Sequence, residues 1–246
     1  MNIDDKNMVN FMKDYSYSFR TNGHQEKDIF SLENIHLNNK ECIYLLDFVK
    51  NKIIYAKGFQ NVLGYADKNI SFEFIIDNHH PEDNEAVNRI SKAAILHCME
   101  NPANVLNSVL FIAYRRKKKD GTYIKVLSES SIFEINDKGM PTKGFTKITD
   151  ISFIDTSEVV NYWMEADDFN KEAFNEKIYS AYADFFTDRE KDIIKELAKD
   201  LTTRSIAEKL CISEHTIATH RKHILKKSNT HKTEDLLLFC KRKGII

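Results

Sequence analysis

Between Thr203 and Lys227, Ala218, Thr219, Lys222 and Lys226 fall on one side of a helical period, and Ile217, Ile224 and Leu225 fall on the other. Arg221 flanks the first side. Methyl groups, a hydroxyl and ammonium groups in this arrangement suit recognition rather than bond-making. A helix held by its apolar side, with small and basic residues facing out, fits the major groove of DNA. An ordinary helical hairpin with a solvated basic face has the same charge pattern, so charge alone decides nothing. No catalytic set stands beside these residues. The chain has no glycine-rich phosphate loop and no nucleophile elbow, and its seven glycines are few for either. Asp47 follows a strand-like run but lacks the acidic surroundings of a phosphoryl-accepting aspartate. No enzymatic activity is expected.

The elements that must hold this face are legible around it. Ile206, Ala207 and Leu210 share one side of a preceding helix, and Cys211-Ile212 makes an apolar turn. Ser213 is a good N-cap, because its hydroxyl can accept a free N–H of the next turn. Upstream, Phe186-Thr-Asp-Arg-Glu-Lys-Asp-Ile-Ile-Lys-Glu-Leu-Ala198 opens with Thr187 and Glu190 at capping-box spacing. In register with these come Ile206-Ala-Glu-Lys-Leu210, Ile212-Ser213, Thr216-Ile217, His220 and Ile224-Leu-Lys-Lys227. Together they resemble the helix-turn-helix domain of LuxR-type transcription regulators, over roughly the last quarter of the chain. Two stretches depart from that pattern. Lys199-Asp200 stands where the family has a glycine, and Ser228-Asn229 replaces Leu-Gly after the recognition helix. By position, the resemblance implies base-edge contacts from Ala218, Thr219 and Lys222. It implies phosphate contacts from Thr203, Arg204, Thr216, Arg221 and Lys226. Lys222 can donate to guanine, and the methyls of Ala218 and Thr219 can meet a thymine methyl.

The chain has 246 residues, 42% hydrophobic and 30% charged, with only three prolines, which suits a folded protein of two domains. Net charge is −1 overall, yet the stretch from Ala181 onward carries +4 and the remainder −5. A basic module on an acidic partner fits phosphate binding. Cys42, Cys98, Cys211 and Cys240 are scattered without metal-ligand or redox spacing, so free thiols are expected. The polar N-terminus lacks the apolar core of a signal peptide, and no run is long enough to span a bilayer. The expectation is a cytoplasmic protein without membrane contact.

From about Ile35 to Asp155 the pattern is of short strands and turns. Cys42–Phe48 and Lys52–Ala56 read as a hairpin through Val49-Lys-Asn51. Small helical turns follow, then a helix through Val87, Ile90, Ala94 and Met99, closed at Asn101-Pro102. Val105–Arg116, an Asp120-Gly121 turn, Tyr123–Phe133 and Gly144–Ile151 supply three more strands. Tyr44-Leu-Leu-Asp47, Ile54-Tyr55, Leu63-Gly-Tyr65, His80-Pro-Glu-Asp83 and Arg115-Arg-Lys-Lys-Lys-Asp-Gly-Thr122 resemble the motifs of PAS domains, in the same order. Members of that family sense ligands, light or redox state, or only mediate dimers, so fold leaves function open.

The remaining features read blandly. The run Arg115–Lys119 is expected to be a solvated hairpin end. His215, His220 and His223 match no closed tetrahedral set, so no metal is expected. His79, His80 and His97 read as loop and helix residues rather than haem ligands. Within Glu158–Tyr182, a helix is expected near Phe169, Ala173, Phe174 and Ile178, with an extra strand at Val159–Trp163 as the alternative. The last helix, Thr233 to Lys243, is apolar enough either to form a dimer contact or to pack within its own domain.

The expected architecture is α+β. It comprises an N-terminal helical segment (1–34), a PAS-like antiparallel sheet with flanking helices (35–155), a connection (156–182) and an all-α LuxR-type four-helix domain (183–246). The resemblance implies a sequence-specific transcription regulator, with double-stranded DNA as partner, a homodimeric state, and RNA polymerase as a further candidate. No cofactor is assigned, and a small ligand in the PAS-like domain stays open. Two alternatives remain at this level: a sigma-factor-like subunit, and a PAS-type sensor without DNA binding.

Overall fold

Asp47 ends the first strand by accepting from two backbone N–H groups, those of Val49 (3.0 Å) and Lys50 (2.8 Å). Asn51 then takes positive φ (50°), and the chain reverses into a hairpin. The computed structural model describes Met8, Met12, residues 35–167, 169–179, 182 and 185–246. The helix expected within residues 1–34 lies outside the described residues except at Met8 and Met12, both helical and buried. The chain divides into two compact units, Met1–Lys171 and Glu172–Ile246.

In the first unit, β1 (Glu41–Asp47) and β2 (Lys52–Lys57) lead into α1 (Phe59–Val62), α2 (Phe72–Asp77) and α3 (Pro81–Glu100). Four strands follow: β3 (Val109–Lys117), β4 (Tyr123–Ile135), β5 (Pro141–Asp150) and β6 (Asn161–Glu165). They form one antiparallel sheet in the order β2-β1-β5-β4-β3-β6. The α+β class and the PAS-like succession of strands and helices are those expected. Two details differ. Val105–Asn107 is a 3-10 turn, braced by Ser108 Oγ donating to the Asn104 carbonyl at 2.9 Å, so β3 starts only at Val109. The extra-strand reading of Val159–Trp163 is also realised, because Phe111 pairs with Trp163 and extends the sheet to six strands.

The inner face of the sheet is set by the two-residue period of a strand. Along β3, Leu110, Ile112, Tyr114 and Arg116 are buried. On the opposing α3, Val87, Ile90, Ala94 and Cys98 turn inward at helical spacing. Pro81 suits the first turn of that helix, and His80 caps it, with Nδ1 accepting from Glu82 N–H at 3.3 Å. Gly58, at φ 91°, admits α1 against β1: a Cβ there would lie 2.5 Å from the Glu41 carbonyl.

The second unit begins after the first residue of α4 (Lys171–Tyr179) and contains α5 (Asp188–Leu197), α6 (Thr203–Leu210), α7 (Glu214–Ser228) and α8 (Thr233–Arg242). Its core is built by Phe186, Ile193, Ile194, Leu197, Ile206, Ala207, Ile217, Ile224, Leu236 and Cys240. Burial pushes the Cys240 thiol up to about 12, so it packs as a small apolar group. Leu236 and Cys240 of α8 face this core, with Leu237 and Phe239 packed beside it.

Candidate nucleic-acid interface

One cap and three turns fix the helices around α7. At the start of α5, Thr187 Oγ1 accepts from Glu190 N–H (3.3 Å) and Glu190 Oε2 accepts from Thr187 N–H (2.9 Å). This is the reciprocal cap its sequence implied. Asp200 takes φ 56°, the left-handed conformation that glycine supplies in the LuxR pattern. Between α6 and α7, Cys211 is left-handed (φ 55°), Ile212 N–H returns to the Ala207 carbonyl (3.1 Å), and Ser213 Oγ accepts from Thr216 N–H (3.0 Å). After α7, Asn229 (φ 52°) replaces glycine, and the buried Ser228 Oγ donates to the Ile224 carbonyl at 2.9 Å. Both departures from the LuxR pattern therefore keep the helix ends.

Most cations of this unit are engaged within it. Lys227 Nζ donates to Glu190 Oε2 (2.6 Å), Lys209 Nζ to Glu196 Oε2 (2.7 Å) and Lys199 Nζ to Glu196 Oε1 (3.0 Å). Hydrogen bonds from Lys209 and Lys199 hold the Glu196 carboxyl below its usual range. Burial acts to raise Glu190, but bonds from Lys227 and the Thr187 backbone outweigh it and keep that carboxyl low. Arg204, exposed, pairs with Glu208 one turn on (3.0 Å). Lys222 and Lys226 are exposed and make no ion pair among the described residues.

The outward face of α7 thus carries Ala218, Thr219, Lys222 and Lys226 to solvent, while Ile217 and Ile224 are buried. Thr219 Oγ1 donates to the His215 carbonyl (3.0 Å), so its hydroxyl proton is used inside the helix. Thr216 is half-buried at the N-terminal turn, with Oγ1 2.8 Å from Ser213 Oγ. Thr203, in the first turn of α6, is half-buried and accepts from Arg221 Nη1 at 2.7 Å. The same guanidinium donates from Nη2 to Thr233 Oγ1 (3.1 Å), in the first turn of α8. Arg221 therefore bridges α7 to the starts of two helices. Helical spacing shows it flanking the groove face but cannot reveal this bridge, whose two threonines lie 18 residues before it and 12 after it.

The first unit departs from sequence reasoning in its basic run. Only part of Arg115–Lys119 is a solvated hairpin end. Arg115 Nη2 meets Asp83 Oδ1 at 2.6 Å and Glu82 Oε2 at 3.0 Å, and Arg116 is 1% exposed. The signal was available: strand alternation puts Arg116 on the same side as Leu110, Ile112 and Tyr114. His79 is also buried, stacked edge-on against Tyr114 with centroids 5.0 Å apart.

Residues 184–240 match the family model described as "Bacterial regulatory proteins, luxR family". The chain is 39% identical over 64 residues to the uncharacterized transcriptional regulatory protein YxjL of Bacillus subtilis, covering 26% of this chain and 29% of that protein. To the uncharacterized response regulatory protein YgeK of Escherichia coli it is 36% identical over 72 residues, covering 28% of this chain and 49% of that protein. The chain thus spans about a third to a half of these relatives. Among solved structures, it is similar to the N-terminal domain of a diguanylate cyclase with PAS/PAC sensor from Marinobacter aquaeolei. The identity is 19% and the TM-score 0.38, over 46% of this chain and 97% of that one. The C-terminal unit is a LuxR-type helix-turn-helix domain.

Proposed function

We propose that the chain is a transcription regulator that binds double-stranded DNA through its C-terminal unit and receives a signal in its PAS-like unit. The observation that carries this reading is the sorting of cations. Lys227, Lys209 and Lys199 neutralise carboxylates of their own unit, while Lys222 and Lys226, exposed on one face of α7, make no ion pair among the described residues. A helix with its cations held outward and its apolar side locked in a core is equipped for the major groove. Ala218, Thr219 and Lys222 read base edges. Thr203, Arg204, Thr216, Arg221 and Lys226 hold phosphates, which fix register without reading sequence.

The names of YxjL and YgeK, transcriptional and response regulatory proteins, support the same class. The regulator acts as a homodimer in the cytoplasm, with RNA polymerase as its downstream partner, and performs no chemistry of its own. A signal acts by giving two states of the protein different affinities for DNA.

Selection of bound duplexes from a random pool, with the full chain and Lys222→Ala in parallel, tests the reading. The wild type should enrich a motif that the variant relaxes at one position, a loss of about 1–3 kcal/mol at that base. Absence of enrichment by either, with no binding even at low salt, would refute DNA recognition and leave a sensor without DNA binding.

A further inference from the structure

Thr219 gives its hydroxyl proton to the His215 carbonyl one turn back (3.0 Å), so toward solvent it offers a methyl group and oxygen lone pairs. Ala218 offers a methyl group alone. Outward donors remain on Lys222, Lys226 and His215, all exposed. His223, also exposed, stands at the margin of this face, one turn from the half-buried His220.

His215 is the second residue of α7, and helical phase centres it on the outward face. The eleven residues from His215 to Lys226 make about three turns, so both lie on one line along the helix. That line runs opposite the buried Ile217, Ile224 and Ser228. Thr219 and Lys222, four and seven residues after His215, flank it. The Ser213 cap, whose Oγ accepts from Thr216 N–H at 3.0 Å, fixes the turn from which the imidazole projects. The ring itself makes no hydrogen bond, ion pair or ring contact among the described residues. A recognition helix meets base edges with its N-terminal residues. Without His215, the first two turns of this face would bring methyl groups and an acceptor to the bases, and no donor before Lys222.

We propose that His215 is a fourth base-reading residue, beside Ala218, Thr219 and Lys222, and that it reads a purine through N7. Imidazole keeps at least one N–H donor in either protonation state. Adenine and guanine both present N7 as an acceptor in the major groove. Cytosine presents a donor there, and thymine an O4 beside its methyl group. A single N–H on N7 thus fixes on which strand the purine stands, and leaves open whether the pair is A·T or G·C. The proposal rests on the DNA-binding reading above and adds one specified base pair to it.

Adding His215→Ala to the selection from random duplexes, with the full chain and Lys222→Ala alongside, tests it. The wild-type motif should contain one pair that is fixed in orientation and free between A·T and G·C. His215→Ala should lose that preference by about fivefold or more, the lower end for a direct base contact, and keep the rest of the motif. Lys222→Ala should relax a different position. An unchanged motif from His215→Ala would overturn the proposal, as would equal weakening on all duplexes, the mark of a phosphate contact. So would loss at a pair selected as A·T against G·C in either orientation. In each of these cases a motif that Lys222→Ala relaxes leaves the DNA-binding reading standing. No enrichment by any of the proteins, with no binding at low salt, sinks both.

Discussion

At the scale of single residues, Arg221 has two roles that can be separated. Its fork joins the hydroxyls of Thr203 and Thr233, while the LuxR pattern puts it near phosphate. Arg221→Met should therefore cost about 1.5–3 kcal/mol of stability in the C-terminal unit, the range for hydrogen bonds to a charged group. It should also weaken all duplexes alike and lower the salt slope by about one. Urea denaturation and a salt titration measure the two effects. A residue that only touched DNA would leave stability unchanged.

His79 gives a second prediction at this scale. Burial, helped by the Arg116 guanidinium and opposed by the Asn84 hydrogen bond, lowers it to about 3. Between that value and about 6.5 the unfolded chain binds a proton that the folded chain refuses. Stability from this group is thus complete above about 6.5 and falls as the pH drops toward 3. Between pH 7.5 and 5 the wild type should lose about 2 kcal/mol more than His79→Gln. Parallel slopes for the two proteins in denaturation at both pH values would contradict this assignment.

At the scale of elements, Gly58 sits at a tight backbone approach in the sheet unit. Its positive φ and the 2.5 Å approach of a would-be Cβ to the Glu41 carbonyl leave an alanine no room. Gly58→Ala should destabilise the first unit by about 1–3 kcal/mol, the range for a strained backbone site, seen as a lower midpoint in far-ultraviolet circular dichroism. Most elements were legible because each follows a local rule. Thr187 and Glu190 announce their cap, Asp120-Gly121 its hairpin, and Pro81 the start of a long helix. β6 was legible only as one of two alternatives, since its five residues are decided by pairing with β3. The outward face of α7 was readable from period alone, because Ile217 and Ile224 fix which side is buried. What period could not give is partnership. The bridge from Arg221 to Thr203 and Thr233, and the bond from Arg116 Nη2 to the Ile75 carbonyl, both depend on contacts far apart in sequence.

At the scale of the whole molecule, the two units carry opposite charge balances and separate cores. Residues 172–246, expressed alone, should unfold in one cooperative transition and keep salt-dependent DNA binding, because every residue assigned to the groove and its support lies within them. A fragment that folds yet binds no duplex at any salt would place the groove contacts under the control of the first unit.

The chain's single tryptophan, Trp163, sits on β6 with Phe169 edge-on at 5.8 Å and Lys171 Nζ 5.9 Å from its ring centre. Indole emission therefore reports on the first unit alone, and melting of the C-terminal helices is dark at that wavelength. The protein carries its own optical probe. Fluorescence follows the sheet, circular dichroism follows both units, and the difference between the two traces isolates the helices without a label.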